Sequence, residues 1–363
     1  MTGIEIDGKV VANEILQRVA VDVDALKQDG WAPTLVSIRI GDNSAVDRYV
    51  RNQQRNASKV GIDFVEKTFR PDISEAEVHA AILNLNVDPR ITGIILQRPI
   101  PENLPIKYLQ ATIHPLKDVE GMHPASIGNI VYRELELGPC TAIAAVELLR
   151  GTGLQMEGLE VTVIGHSEIV GKPIAFLLMA EGATVTVCHH LTREVALHSR
   201  AADAVLIAVG KPGLLKGGMI RQGSAVIDIG INQVKDDEGK LRIVGDCDYN
   251  SCREVAGWIT PVPGGVGPVT VAVLMRNTVV AAGRRGSVGA RLYIGPKEQQ
   301  RMKTADQKLE LTVDYGWFTP LSSPLFWLMT YINKFFQNWG VSILLLTLLV
   351  KLAFYPLSAA SYK

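Results

Sequence analysis

Short β-branched apolar runs alternate with segments of helical periodicity from Met1 to about Arg285, and this alternation constrains the fold more than any other feature. It is typical of α/β layers in which crossover helices connect the strands of parallel sheets. The sequence therefore predicts a doubly wound α/β fold. The predicted strands span residues 34–40, 93–96, 160–164, 184–187, 204–209 and 225–229, and the predicted helices span residues 11–27, 75–86, 141–149 and 172–180.

A stretch rich in Gly, Pro and His, which begins at Gly121-Met122-His123-Pro124, separates the first strands from a second set. We place a domain boundary there, because this composition is typical of connections between domains. The prediction is two α/β domains, residues 1–120 and residues 121–267, and a chain of 363 residues is long enough for both.

The charge and cysteine content exclude several classes of function. Lys and Arg together number 37, as do Asp and Glu, so no basic surface for a nucleic acid is expected. The four cysteines form no Cys-x-x-Cys pair and the first ten residues do not resemble an export signal, which predicts a reducing, cytoplasmic compartment. No metal site is expected, because His189 and His190 lack carboxylate partners at metal-ligand spacing.

The composition changes after the predicted domains. Residues 286–338 are predicted to form a linker and a charged segment, and residues 339–357 are almost wholly apolar. This length suits a transmembrane helix, with Trp339 and Tyr355 at the interfaces and Lys351 as the one internal charge. A buried core helix is the alternative, so membrane association through residues 339–357 is a hypothesis.

The strongest local motif follows the predicted strand 160–164 and reads Gly165-His166-Ser167-Glu168-Ile169-Val170-Gly171. A glycine at the strand end permits a tight turn, and the N–H groups that open the next helix can hold a pyrophosphate. The next strand ends without a carboxylate for the ribose of NAD, whereas His166, His190 and Arg193 could face the 2′-phosphate of NADP. The motif favours NADP, with NAD possible, although a turn that binds nothing fits the same pattern.

A second motif lies between Pro261 and Pro268, where three glycines occur among three prolines. Glycine there permits positive φ angles and a close approach of the backbone to a ligand. A rigid turn before the last predicted helix is the alternative interpretation.

In their order along the chain, these motifs resemble the bifunctional methylenetetrahydrofolate dehydrogenase/cyclohydrolase (FolD) family over about residues 4–285. The resemblance implies a tetrahydrofolate derivative bound in a cleft between two α/β domains. It also implies that a helix over about residues 268–285 completes the first domain and that the second is a Rossmann-type NAD(P)-binding domain. The other matching segments are Gly41-Asp42-Asn43-Ser44 before Tyr49, residues 93–99, residues 114–121, Pro139-Cys140-Thr141 and Gly230-Ile231-Asn232.

The implied chemistry is oxidation of 5,10-methylenetetrahydrofolate by NADP, followed by hydrolysis of the methenyl product to 10-formyltetrahydrofolate. These are steps of one-carbon metabolism that serve purine biosynthesis, and the family's enzymes are implied to be homodimers. Site positions carried over from the family are Tyr49, Gln53, Gln97 and Glu120 for catalysis; Tyr49, Gln97, Pro99, Asp118, Glu120, Gly264, Gly265 and Pro268 for substrate; and Gly165, His166, Ser167, His190 and Ile231 for the cofactor.

The chain departs from the family at the catalytic helix, which reads Tyr-x-x-x-Lys in the family and has Gln53 at the lysine position here. Glutamine carries no positive charge and is not a base near neutral pH. We therefore predict that dehydrogenase activity outlasts cyclohydrolase activity. The alternative is a non-catalytic FolD-like paralogue that binds nucleotide or folate. Further departures at the same site are Val46, Arg98, Glu120 and Val269.

Residues 290–363 resemble a different family, the YidC membrane insertases, from the end of the periplasmic domain to the second transmembrane helix. A single helix cannot form the polar groove implied around the Lys351 position, so insertase activity is not carried over. Two unrelated families in one chain indicate a natural fusion, a merged gene model or an artificial chimera. Such a protein would tether an enzyme-like region to a membrane by one helix.

Overall fold

The computed structural model describes residues 2–132, 137–235, 239–283 and 319–361, and the chain divides into two units, Met1–Gly286 and Ser287–Lys363. The first unit has the α/β architecture that the sequence predicts. Its elements in chain order are β1 (Ile4–Glu5), α1 (Gly8–Gln28), β2 (Thr34–Ile40), α2 (Ser44–Val60), β3 (Asp63–Phe69), α3 (Glu75–Val87), β4 (Gly93–Leu96), α4 (Ile106–Thr112), α5 (Pro124–Tyr132), α6 (Cys140–Arg150), β5 (Glu160–Ile164), α7 (Gly171–Ala180), β6 (Thr184–Cys188), α8 (Val195–Ala201), β7 (Ala204–Ile207), β8 (Ala225–Asp228), β9 (Asn232–Lys235), β10 (Leu241–Val244), α9 (Tyr249–Val255), β11 (Trp258–Ile259) and α10 (Val266–Gly283), with short 3-10 helices at Pro115–Lys117 and Gly217–Met219.

The first sheet is parallel, in the order β3-β2-β4, with Leu35 paired to both Phe64 and Gly93. We call this sheet, with α2, α3 and α4, the three-stranded lobe. Helix α3 begins at Glu75 because Ser74 and Glu77 form a reciprocal capping box at its N-terminus. Strand β3 was not predicted, because its sequence DFVEKTF carries charged residues along a partly exposed sheet edge.

The second sheet is parallel and has six strands in the order β1-β11-β8-β7-β5-β6. We call it, with α5 to α9, the six-stranded lobe. All residues of β7 and β8 are buried, as expected for parallel strands covered on both faces. Its edge strand β1 pairs Ile4 with Trp258 and Glu5 with Ile259, so the start of the predicted domain 1–120 lies in this sheet. Strands β9 and β10 form a separate antiparallel pair.

Helix α10 is shared by the two lobes, because it packs against α1 and α2 on one side and α6 on the other. Its apolar length would suffice to cross a membrane, but 67% of it is buried inside the unit. Val269, Leu274 and Met275 are among its fully enclosed side chains. It is therefore a core helix of the first unit.

The second unit contains two described helices, α11 (Thr319–Phe336) and α12 (Trp339–Ser361). The prediction of a linker over residues 286–338 is wrong for its last part, because Thr319–Phe336 is an apolar helix, and residues 286–318 lie outside the described residues. In α12, Trp339–Pro356 has a mean hydropathy of 1.7 and is only 6% buried. By length and composition α12 could cross a membrane, and its predicted insertion stays a prediction.

Candidate active site

Three buried polar side chains meet where β2, β4 and α2 come together. Gln97 directly follows β4, and its amide nitrogen donates to the hydroxyl of Ser37 (3.0 Å) and to the amide oxygen of Gln53 (2.7 Å). Ser37 and Gln53 are fully buried and Gln97 is 4% exposed. The predicted catalytic positions Gln53 and Gln97 are thus brought into direct contact. Sequence reasoning missed Ser37, whose one signal is a hydroxyl between the apolar residues Val36 and Ile38 of β2.

Tyr49 lies one helical turn before Gln53 on α2, so both side chains project from the same face. Burial of the phenol raises its pKa well above the usual range, the nearby Glu120 and Cys140 raise it further, and the Gln53 amide lowers it slightly. Tyr49 therefore stays protonated near neutral pH. The amide nitrogen of Gln53 makes no hydrogen bond of normal geometry to any described residue.

Glu120 is half-buried on the segment that leaves the three-stranded lobe. Burial raises its pKa to about 8, with a further increase from Asp118, while Arg98 and a hydrogen bond to the backbone of Leu96 act in the opposite direction. Near neutral pH the carboxyl group is consequently protonated in much of the population. Glu120 raises the pKa of Tyr49, so the two groups are close enough to interact electrostatically.

Asp118, a predicted substrate-binding residue, is 2% exposed and its carboxylate is already engaged by the protein. It accepts hydrogen bonds from the backbone N–H groups of Met122 (3.1 Å) and His123 (2.7 Å) and from the hydroxyl of Ser126 (2.7 Å). These bonds fix the entry into α5. In this structure Asp118 orders the connection after Glu120, and its contact with substrate stays a prediction.

The departures from the family have different environments. Val46 and Val269 are buried in the core, at 5% and 0% exposure, so they contribute packing. Arg98 is exposed, and its guanidinium donates to the amide oxygen of Gln110 at 2.6 Å. The predicted substrate residue Pro99 lines an open pocket together with Arg98, Ile100, Pro101, Glu102, Leu104 and Ile106.

The Gly264-Gly265 loop packs directly against the start of α1. A Cβ atom on Gly8 would lie 1.8 Å from the carbonyl oxygen of Gly265, so backbone contacts backbone there. Gly264 has a φ angle of +121°, which a side chain would strain. Pro268 follows in the first turn of α10. The three predicted substrate residues thus form a loop of fixed path at the N-terminus of α10.

The predicted cofactor loop joins β5 to α7. Gly165 has a φ angle of +118°, and its N–H donates to the carbonyl of Cys188 at 2.9 Å. A Cβ atom on Gly171 would lie 1.8 Å from the carbonyl oxygen of Gly165, so the loop is closed by two glycines in contact. The hydroxyl of Ser167 accepts from the N–H groups of Val170 (3.2 Å) and Gly171 (3.4 Å). This tight turn leads to the N-terminus of α7, as nucleotide-binding loops require.

Three imidazole rings cluster beside this loop. The ring centroid of His166 lies 4.9 Å from that of His189 and 5.9 Å from that of His190. The structure therefore brings together His166 and His190, as the cofactor prediction needs, and adds His189, which sequence reasoning had set aside. Among the described residues, no group of three or more His, Cys, Asp or Glu side chains has the arrangement of a metal site. Arg193 is exposed, and Ile231 is 70% exposed between β8 and β9.

Sequence reasoning missed Asp246, which orders the loops beside the cofactor loop. Its fully buried carboxylate accepts from the N–H groups of Val209 (2.7 Å), Gly210 (3.0 Å) and Lys211 (2.8 Å), which follow β7. It also accepts from the side chain of Asn232 at 2.8 Å, and so connects the loop after β7 to the loop that carries Ile231. Its position just after β10 gives no signal in a single sequence.

Sequence profiles of two tetrahydrofolate dehydrogenase/cyclohydrolase domains match this chain. The catalytic domain matches residues 6–120 and the NAD(P)-binding domain matches residues 139–286. The YidC periplasmic domain matches residues 264–328, overlapping the second of these over residues 264–286. These matches agree with both resemblances seen in the sequence.

Similar proteins are found among curated sequences and solved structures. The bifunctional protein FolD 2 of Mesorhizobium japonicum is 60% identical over 286 residues, which cover 79% of this chain and 94% of that protein. The FolD protein of Rhodobacter capsulatus is 57% identical over 78% of this chain and 95% of its own length. The Trypanosoma brucei FolD structure, complexed with NADP and an inhibitor, has a TM-score of 0.75 at 35% identity and covers 78% of this chain and 98% of that one.

Proposed function

This chain belongs to the bifunctional tetrahydrofolate dehydrogenase/cyclohydrolase (FolD) family, and from that membership we propose that it is an NADP-dependent 5,10-methylenetetrahydrofolate dehydrogenase with a weakened cyclohydrolase activity. The substrate would lie in the cleft that Tyr49, Gln97 and Glu120 share. Oxidation transfers a hydride from the methylene carbon and leaves a methenyl cation. The reaction would supply one-carbon units for purine biosynthesis.

The residues around β5 fit a dinucleotide. Gly165 and Gly171 leave no space for side chains, so the backbone could approach a pyrophosphate closely at the start of α7. His166, His189 and His190 stand beside the loop where a 2′-phosphate would distinguish NADP from NAD. When bound, NADP accepts the hydride. The chain's contribution is to hold the two reacting rings in register and exclude water.

The observation that carries the proposal is the buried contact between Gln53 and Gln97. In the family pattern a lysine at position 53 would supply a positive charge or, when neutral, a base. Here the position holds a neutral amide whose oxygen accepts from Gln97 at 2.7 Å. Neither Gln53 nor the protonated Tyr49 is a base near neutral pH, so the attack of water on the methenyl cation loses the proton acceptor that a neutral lysine at position 53 would supply. Hydride transfer needs no such group.

The test compares both reactions in the full chain and in Gln53→Lys. NADPH formation from methylenetetrahydrofolate measures the first reaction, and loss of methenyltetrahydrofolate absorbance measures the second. We expect wild-type dehydrogenase activity together with hydrolysis that rises about 100-fold in Gln53→Lys, within the range for general acid–base catalysis. The matched control is Gln54→Lys, which places the same charge on the exposed face of α2. Equal hydrolysis by wild type and Gln53→Lys would contradict the proposal.

The same assay addresses the non-catalytic alternative. A paralogue that only binds nucleotide or folate would bind the cofactor without turning over methylenetetrahydrofolate. Cofactor binding is detected by the change in fluorescence of added NADPH. The motivation for this alternative is the departure from the family pattern at Gln53, Val46 and Arg98. Turnover by the wild-type chain excludes this alternative, whereas binding without turnover would establish it.

We further propose that the catalytic lobes are cytoplasmic, form a homodimer as the family resemblance implies, and are held at a membrane by α12. The support for anchoring is that Trp339–Pro356 is apolar and only 6% buried. Carbonate washing of membranes should leave the full chain in the pellet and release a chain truncated at Arg285. A full chain found in the supernatant would refute the anchor. Light scattering of the truncated chain, if it remains soluble, should give the mass of a dimer.

A further inference from the structure

A buried amide on α10 ties together two chain segments that meet beside the cleft. Asn277 is 3% exposed, and its side-chain nitrogen donates to the carbonyl oxygens of Val119 (2.9 Å) and Gly138 (3.1 Å). The same nitrogen lies 3.4 Å from the sulfur of Cys140. Its two N–H groups thus donate to the segments before and after α5, which lie 158 and 139 residues from Asn277 in the sequence.

The peptide that carries Glu120 is held on both of its flanking carbonyl groups. The carbonyl of Val119 accepts from Asn277 and also from the thiol of Cys140 at 3.3 Å. The carbonyl of Glu120 accepts from the N–H of Cys140 at 3.3 Å. At Gly121, which has a φ angle of +71°, a Cβ atom would lie 2.0 Å from the backbone of Gly138. The backbone of Glu120 therefore has little freedom to rotate.

The Glu120 side chain leaves this fixed peptide toward groups from several elements. The pKa of Glu120 responds to Asp118 on its own segment and to Arg98 and the backbone of Leu96 at the end of β4. Glu120 in turn raises the pKa of Tyr49 on α2 and of Cys140 on α6. Asn277 itself contacts neither Tyr49 nor any other predicted substrate residue through the hydrogen bonds of the described structure. Its hydrogen bonds reach the cleft through the segments 119–121 and 138–140.

We propose that Asn277 is a positioning residue for Glu120: its amide fixes the 119–121 peptide against residues 138–140, and so sets where the Glu120 carboxyl group stands in the folate cleft. This inference rests on the proposed dehydrogenase function, because it assigns Glu120 to the folate substrate. Asn277 lies on α10, whose N-terminus carries the Gly264-Gly265 loop. One helix therefore supports two separate parts of the predicted substrate site.

The experiment is a double-mutant cycle between Asn277→Ala and Glu120→Gln in the full chain, with kcat/KM for methylenetetrahydrofolate measured against pH. Asn277→Ala alone should lower kcat/KM about 10- to 100-fold, as expected for a displacement of about an ångström. It should also move the pH midpoint of the Glu120-dependent limb away from about 8. In the Glu120→Gln background the same change should cost less than about twofold, because the group it positions is gone. The KM for NADP should change less than about twofold in every variant.

Thr278→Val is the matched control, since Thr278 is also buried on α10 but its hydroxyl donates only to the carbonyl of Leu274. It should keep the wild-type pH midpoint. If Asn277→Ala does not fold, Asn277→Ser, which keeps one donor, is read in the same cycle. Additive losses with an unshifted midpoint would overturn the inference and make Asn277 structural only. A wild-type chain without dehydrogenase activity would instead refute the proposed function.

Discussion

The cofactor loop is formed mainly by backbone groups, whereas the folate cleft is formed mainly by side chains. Between β5 and α7 the geometry comes from backbone, with Gly165 and Gly171 in contact and the N–H groups of the helix start available. In the cleft it comes from side chains: Gln97 donates to both Gln53 and Ser37, and Glu120 is predicted to contribute its carboxyl group. A backbone site tolerates changes at most positions except its glycines. A side-chain site can lose one reaction through a single substitution.

This difference explains why the two halves of the site depart so differently from the family pattern. Hydride transfer depends mainly on the backbone-built half and on the alignment of two rings. Hydrolysis depends on a particular proton acceptor in the side-chain-built half. Gln53 fills the volume and makes the buried hydrogen bond that its site requires, while the chemistry of a lysine is absent. The substitution therefore fits the fold, and we propose that it weakens the second reaction.

The largest expected effect comes from a substitution that disrupts the cofactor loop, the part of the site formed by backbone. In Gly171→Ala the added Cβ would lie 1.8 Å from the carbonyl oxygen of Gly165, so the loop must open. We expect NADP affinity to fall more than about 100-fold and the free energy of unfolding to fall by about 1–3 kcal/mol. Isothermal titration and chemical denaturation measure these. Gly128→Ala in α5, where a Cβ atom meets nothing within 4 Å, is the control and should be neutral or stabilising.

The next effect tests the charge of the side-chain-built half. An ionised Glu120 would stabilise the cationic product, so dehydrogenase kcat/KM should rise through a limb near pH 8. In Glu120→Gln that limb should disappear, and kcat/KM above it should fall about 10- to 100-fold. A pH profile of both proteins measures this. A limb that persists in the variant would show that another group titrates.

The free energy of unfolding should also depend on Glu120, but it should fall as pH rises, whereas the activity should rise. The pKa of Glu120 is raised to about 8 in the folded state. At pH values between the ordinary carboxyl pKa and about 8, the folded protein therefore keeps the Glu120 proton, whereas the unfolded protein has released it. The free energy of unfolding should therefore decrease as pH rises through that window, by up to roughly 1.4 kcal/mol per pH unit. Glu120→Gln should remove this contribution, as urea denaturation at pH 5 and pH 8 can show.

A smaller effect concerns the side chain that supports backbone loops beside the cofactor. Asp246→Asn leaves one acceptor oxygen for the N–H groups of Val209, Gly210 and Lys211. Loss of charged hydrogen bonds of this kind costs about 1.5 kcal/mol or more, so the KM for NADP should rise about tenfold. The KM for folate should stay unchanged. A matching rise in both KM values would mean that the whole lobe had been disturbed.

The smallest effect concerns an exposed ion pair between the two lobes. Lys107 on α4 and Glu168 in the cofactor loop lie 2.6 Å apart, and the two side chains are 79% and 62% exposed. Such pairs contribute little and are screened by salt. Lys107→Gln should speed NADP release by about twofold at low ionic strength and have no effect at high ionic strength. Stopped-flow fluorescence measures the rate, and Glu168→Gln should give the same result.

Much of the fold could be predicted, because long buried strands leave a clear pattern. Strands β5, β7 and β8 are short apolar runs between turn signals, and the sequence places each within two residues of its observed ends. The edge strand β3 is partly exposed and charged, and β1 and β11 have only two residues each, so none gives such a pattern. The helix α11 was hidden by the charged segment before it.

The candidate site was predictable only where a motif fixed it. Tyr49 and Gln53 share one helix, so their spacing already places them on one face. Ser37 is 60 residues from Gln97, and Asn277 is 158 residues from Val119. Contacts at such separations depend on the packing of whole lobes. The sequence does not show whether a buried polar residue in an apolar run hydrogen-bonds to a segment of the site or only to the backbone of its own helix.

The pairing of β1 with β11 has a consequence for how the chain is made. Ile4 cannot find Trp258 until almost the whole first unit has been synthesised, so the six-stranded sheet can be completed only late in translation. During that time the three strands of the three-stranded lobe, which lie between Thr34 and Leu96, can already pair with one another. The apolar α12 begins at Trp339, so it is synthesised after every strand of the six-stranded sheet. The order of synthesis therefore gives the first unit time to begin folding before the exposed apolar segment Trp339–Pro356 exists.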